Sequence, residues 1–150
     1  LENIVSNTIY TLGYHGWTIE QFKAVVQRLD ALVVDVRMMP RSRWDIVWRS
    51  ESLRAGLGAR YVWIKQFGNL NYKGTIDSCK IADFGAGARL LDELSTTPIG
   101  AGKAIILLCG CRDVNDCHRK IIADKLAALW HKEIVHLPTP EKVSARLPLF

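Results

Sequence analysis

The chain has 150 residues, of which 49% are hydrophobic, and a formal charge of +5 at pH 7; that is enough for one sizeable core and too short for two ordinary domains. Its apolar runs, such as Ala31 to Val34 and Ala104 to Cys109, are far shorter than the ~20 residues that a membrane helix needs. The excess of Lys and Arg favours an anionic partner, and the four cysteines, three of them between Cys109 and Cys117, do not form the spread-out framework of a small disulfide-stapled secreted domain. Glu2 to Asn7 lack the basic and apolar regions of a signal peptide, so a reducing cytoplasm and no membrane are expected.

Five short runs rich in apolar and β-branched residues read as strands: Thr8 to Leu12, Leu32 to Val36, Tyr61 to Ile64, Lys103 to Cys109 and Glu133 to Leu137. Helical periodicity fills the intervals. It places Ile19, Phe22, Val25, Val26 and Leu29 on one face of Thr18 to Leu29, continues over Arg49 to Leu57 and Asp83 to Leu94, and sets Ile121, Ile122, Leu126 and Leu129 along Cys117 to Trp130. Thr18 is the expected N-cap of the first helix, and Asn115 or Asp116 that of the last. Alternating strands and helices predict an α/β fold: a single three-layer domain, residues 1–150 with a core from about 8 to 137, whose mostly parallel five-stranded sheet carries helices on both faces. The stretch from Lys65 to Ala82 lacks periodicity and reads as a lid, binding loop or ordered surface loop. Residues 138–150 form a proline-containing tail.

Ligands of open parallel sheets bind beyond the carboxyl ends of the strands. At that rim the chain delivers Gly13-Tyr14-His15-Gly16 after the first strand, Asp35, Arg37, Arg41 and Arg43 at the second, Lys65 and Gln66 at the third, and Cys109, Cys111, Cys117, His118 and Arg119 at the fourth. Asp35 closes a strand of valines, so its carboxylate needs a partner, and Arg37 lies on the same side by period-two spacing. Cys117, at the start of a helix beside Arg119, sits where a thiol pKa is lowered, and is the candidate nucleophile. Adjacent helical residues do not face each other, so His15, rather than His118, is the expected partner of Cys117 across the rim.

Three readings follow. In the leading one the protein is a small enzyme acting on an anionic, phosphate-bearing or nucleotide-like substrate: Arg37, Arg43, Arg119 and His118 bind the anion, Cys117 is nucleophile, and Asp35 and His15 move protons. No cofactor is needed. In the second, Arg37, Arg41, Arg43 and Arg49 with Trp44 and Trp48 form a nucleic-acid-binding module without chemistry. In the third, Cys109, Cys111, Cys117 and His118 form a zinc-bound or structural clamp, although their spacings differ from ordinary zinc knuckles and ribbons. Walker and Gly-x-Gly-x-x-Gly loops are absent, as is the Cys-x5-Arg loop of cysteine phosphatases.

Thr11-Leu12-Gly13-Tyr14-His15-Gly16, Val33-Val34-Asp35-Val36-Arg37 with Pro40 and Ser42-Arg43, Tyr61-Val62 followed by Phe67-Gly68-Asn69, and Leu107-Leu108-Cys109 with Cys117-His118-Arg119 run in order from about Thr8 to Leu137. Together they resemble the domain-of-unknown-function 488 family. The resemblance implies a small bacterial or archaeal α/β domain and no settled reaction, substrate or catalytic set. It also implies an acidic or other polar residue near His15 and an acidic one near Cys111, two positions where this chain departs.

Overall fold

The computed structural model describes residues 8–41 and 45–140. Strands and helices alternate through them: β1 (Thr8–Gly13), α1 (Ile19–Leu29), β2 (Ala31–Asp35), α2 (Ser50–Leu57), β3 (Tyr61–Trp63), α3 (Phe84–Ser95), β4 (Ala104–Cys109), α4 (His118–Trp130) and β5 (Glu133–His136), with short 3-10 turns between. The expected α/β arrangement is the observed one. All strand pairings are parallel, in the order β3-β2-β4-β1-β5.

Alternation along each buried strand feeds two separate cores. Ile9, Leu32, Val34, Ile105 and Leu107 meet α3 and α4 through Leu91, Ile122 and Leu126. On the opposite face, Leu12, Val33, Ile106 and Leu108 meet α1 and α2 through Phe22, Val26 and Leu53. The chain leaving β4 therefore enters a helix on one face of the sheet, whereas the chains leaving its neighbours β1 and β2 enter helices on the other. That divergence opens a crevice at the end of β4.

Local chemistry explains most boundaries. Thr18 caps α1 through a reciprocal pair: its Oγ1 accepts from Gln21 N at 3.1 Å, and its own N donates to Gln21 Oε1 at 2.9 Å. Val36 and Ile64, expected as the last residues of their strands, lie one step beyond β2 and β3. They still donate to Leu108 O and Asp35 O, both at 3.1 Å.

The start of α4 differs from expectation. Asp113 accepts from Asn115 N at 2.9 Å and closes a separate 3-10 turn, Val114–Asp116, so neither Asn115 nor Asp116 caps the helix. Cys117 is the N-cap, extended at φ −130° and ψ 136°, with no hydrogen bond from its side chain to the helix. Arg43, Trp44 and the tail beyond Pro140 lie outside the described residues. No helix among the described residues is long and apolar enough to cross a membrane.

Candidate functional site

Two side-chain clusters meet at the end of β4. The first is built on Asp35, which is fully buried. Its Oδ1 accepts from Arg37 N at 3.1 Å and Arg37 Nε at 2.8 Å, while Oδ2 accepts from Arg37 Nη2 at 2.7 Å and Tyr61 Oη at 2.6 Å. Four donors thus occupy the carboxylate, and the bidentate fork fixes the guanidinium. Arg37 Nη2 also donates to Trp48 O at 2.7 Å, and Nη1 to Tyr14 Oη at 3.3 Å. Burial pulls the Arg37 pKa down, but the hydrogen bonds and charge of Asp35 outweigh it and hold the guanidinium above its ordinary value. Burial, and then the Asp35 charge, push the Tyr61 phenol up and keep it a donor. The sequence pointed to the Asp35 and Arg37 pair; Tyr61 escaped notice because its contact depends on the β2 and β3 register, where Val33 faces Tyr61.

Tyr14 was also missed as a site residue. Its ring stacks on Trp48 at 4.5 Å with an 8° interplanar angle, and the Arg37 guanidinium lies 5.3 Å from its centroid. Trp48 is only 3% exposed and meets Phe22 edge-on, so it belongs to the core and presents no face for stacking a base.

The second cluster gathers the cysteines. Cys109 Sγ lies 4.0 Å from Cys111 Sγ and 3.9 Å from His118 Nδ1. The ligating atoms of Cys109, Cys117 and His118 all fall within 4.8 Å of one another, and all three residues are buried. Cys117 is extended and stands outside the helix, so helical side-chain spacing does not apply to it; its sulfur comes within 4.8 Å of the His118 imidazole, with no hydrogen bond between the two among the described residues. His118 Nε2 donates to Val36 O at 2.6 Å, which leaves Nδ1 with its lone pair turned towards Cys109. Hydrogen bonds from Cys111 and Cys117, opposed by burial and assisted by the backbone N–H groups of Cys111 and Gly110, hold the Cys109 thiol well below its ordinary pKa. Cys111 is pushed up by its hydrogen bonds to Cys109 and Cys117 and by burial.

Arg119 fixes the loop that carries Cys111. It donates from Nη1 to Cys111 O at 2.9 Å and from Nε to Thr11 Oγ1 at 3.3 Å. β1 must come very close to let this happen: a Cβ placed on Gly13 would lie 1.7 Å from Cys111 O and 2.7 Å from Arg119 Nη1. Glycine at 13 is thus required by the approach of that loop.

Both clusters border a cavity of about 390 Å³, lined by Tyr14, Arg37, Met38, Met39, Asn69, Tyr72, Gly74, Thr75, Ile76, Cys109, Gly110, Cys111, Asp116 and His118. Its outer wall comes from the long connection after β3. Asn69 Oδ1 ties that connection together by accepting from Asn71 N at 2.9 Å and Lys80 N at 3.0 Å. Of the residues proposed from sequence, Arg37 and His118, and from the clamp reading Cys109 and Cys111, line the cavity, with Asp35 behind Arg37 and Cys117 behind Cys109. Arg119 borders a different cavity of about 370 Å³, next to Arg112 and His136. His15 is exposed and does not line the first cavity.

An all-parallel α/β sheet with a thiol and imidazole cluster at its switch point defines the class of the molecule. The family model for Domain of unknown function DUF488 matches residues 19–126, and the chain belongs to that family. No curated protein and no solved structure matches the chain.

Proposed function

We propose that the protein is a small enzyme that acts on a small anionic molecule in the cavity beyond β4, with Cys109 as its reactive sulfur. The observation that carries this reading is the position of Cys109, which lines a 390 Å³ cavity and holds its sulfur 3.9 Å from a histidine nitrogen whose lone pair faces it. A thiolate is the nucleophilic form of cysteine, and Cys111, Cys117 and two backbone N–H groups favour it here. Cys117 was the sequence candidate, yet it is 1% exposed and does not line the cavity, so in this reading it supports Cys109.

The chemistry is nucleophilic displacement at carbon. His118 Nδ1 takes the Cys109 proton, and the sulfur lone pair forms the new bond to an electrophilic carbon. The leaving group departs with its bonding electrons and receives the proton back from His118; water then hydrolyses the sulfur-bound intermediate. Throughout, Nε2–H stays bonded to Val36 O and keeps the ring in place. Arg37 and the Tyr14 hydroxyl, joined at 3.3 Å and lining the same cavity, supply donors for the anionic part of the substrate, and the net charge of +5 favours its approach. Asp35, with four donors on its carboxylate, orients Arg37 and does not act as a base.

Limited alkylation of the reduced, metal-free protein with iodoacetamide, followed by peptide mapping, tests the reading. Cys109 is expected to be modified first, and Cys109→Ser to abolish the fast phase. Fast modification of Cys79 alone would sink the assignment.

A further inference from the structure

The cysteine cluster has the composition and nearly the dimensions of a metal centre. Zinc bonds of about 2.3 Å to sulfur and about 2.0 Å to nitrogen in a tetrahedron set neighbouring ligand atoms about 3.5–3.8 Å apart. The Cys109 sulfur stands 4.0 Å from Cys111 Sγ and 3.9 Å from His118 Nδ1, so closing these edges needs shifts of a few tenths of an ångström, on the order of ordinary side-chain adjustment. Cys117 Sγ completes a buried group with Cys109 and His118 in which every ligating atom is within 4.8 Å of the others; Cys111 Sγ stands outside that group, joined to it by its 4.0 Å edge to Cys109, and closes the fourth position by a larger side-chain movement. We propose that Cys109, Cys111, Cys117 and His118 bind one zinc ion.

Two further observations support a ligand here. His118 donates Nε2–H to Val36 O at 2.6 Å, which is how the outer partner of a metal-bound histidine fixes the ring and leaves the other nitrogen free to ligate. Arg119 is 3% exposed, and among the described residues its hydrogen bonds go to the Thr11 hydroxyl and the Cys111 carbonyl, with no ion pair to a carboxylate. A buried guanidinium calls for a nearby negative charge. Three thiolates, one neutral imidazole and Zn²⁺ sum to a single negative charge on a centre that includes Cys111, the residue whose carbonyl Arg119 holds. Soft thiolate ligands select zinc over magnesium or calcium, and each thiol gives up its proton to solvent on binding, so affinity rises with pH.

The zinc site goes beyond the reading of Cys109 as a nucleophile, which describes the metal-free protein. Bound zinc occupies the sulfur lone pair and shields it from alkylation.

The test uses the reduced full chain, loaded with zinc, freed of unbound metal, and separately titrated with Co²⁺. One zinc per chain is expected, together with the ligand-field and sulfur-to-cobalt charge-transfer absorption of tetrahedral thiolate-bound cobalt. Replacing Cys111→Ser, Cys117→Ser or His118→Asn should weaken binding by about a hundredfold or more, since even outer partners of a ligand are worth 10–100-fold. Cys79→Ser should change nothing. Absence of stoichiometric zinc from the unaltered chain, cobalt bound without sulfur charge transfer, or affinity indifferent to these three ligands would each overturn the proposal; the spectra of the unaltered chain stand even where a variant fails to fold. Zinc binding with ordinary Cys109 reactivity in the metal-free chain defeats the nucleophile reading alone. A reactive Cys109 without zinc defeats the metal site alone.

Discussion

His118 and Val36 are joined by a 2.6 Å hydrogen bond from the imidazole Nε2 to the backbone carbonyl just beyond β2. This one contact links the end of β2, between Asp35 and Arg37, to the helix start that carries Cys117, and it decides which histidine nitrogen faces Cys109. His118→Ala should leave Val36 O buried and unpaired, at a cost of about 1–3 kcal/mol. Urea unfolding measures that loss, and alkylation of Cys109 should slow in the same variant.

Asp35→Asn should be among the most damaging single changes in the domain. It leaves the Arg37 guanidinium, 8% exposed at its side chain, without its counter-charge, a type of loss worth about 3–5 kcal/mol. Asp35→Asn combined with Arg37→Met should cost clearly less than the sum of the two single changes, because the second removes the charge that the first strands. A double-mutant cycle of unfolding free energies reads this coupling directly; additive losses would show that the pair is energetically independent.

Gly13→Ala should displace the Cys111 loop. The new methyl would meet a carbonyl oxygen at 1.7 Å, which β1, held between β4 and β5, has little freedom to relieve. A cost of about 1–3 kcal/mol or more is expected from overpacking. The expected functional sign is separate from stability: Cys109 loses the hydrogen bond from Cys111 and its alkylation midpoint moves to higher pH.

Strands and helices were legible in the sequence because burial on both faces leaves continuous apolar runs such as Ala104 to Cys109, and helices leave a 3.6-residue period. The rim position of the site was legible for the same reason, since parallel strands place all their carboxyl ends together. Strand order was not, although it puts β4 between β2 and β1 and so brings Cys109 level with Gly13. The gathering of Cys117 with Cys109 and His118 was hidden because it depends on Cys117 being extended rather than helical. That in turn follows from Asp113 closing an extra turn just before. Tyr14 and Tyr61 act through contacts with Trp48 and Asp35, which only tertiary structure supplies.

His136 gives a pH dependence with a defined sign. Burial, followed by the charge of Arg119, lowers its pKa in the folded protein, and its Nδ1 lies 2.7 Å from Thr11 Oγ1. The unfolded chain then binds the proton more readily than the folded one. The stabilising contribution is therefore complete above the ordinary histidine pKa of about 6.5 and is lost as pH falls from there through the lowered folded value. Thermal melts across that window should show the loss in the unaltered chain and a smaller one in His136→Gln.

The pH dependence of Cys109 alkylation tests the central claim most directly. In reduced, metal-free protein, mass-resolved iodoacetamide labelling of Cys109 should reach half its maximal rate well below the free-thiol pKa of about 8.5, because Cys111 and Cys117 stabilise the thiolate. Cys117→Ser should move that midpoint towards the free value, while Cys79→Ser should leave it in place. A Cys109 midpoint at or above the free-thiol value in the unaltered chain would contradict the account.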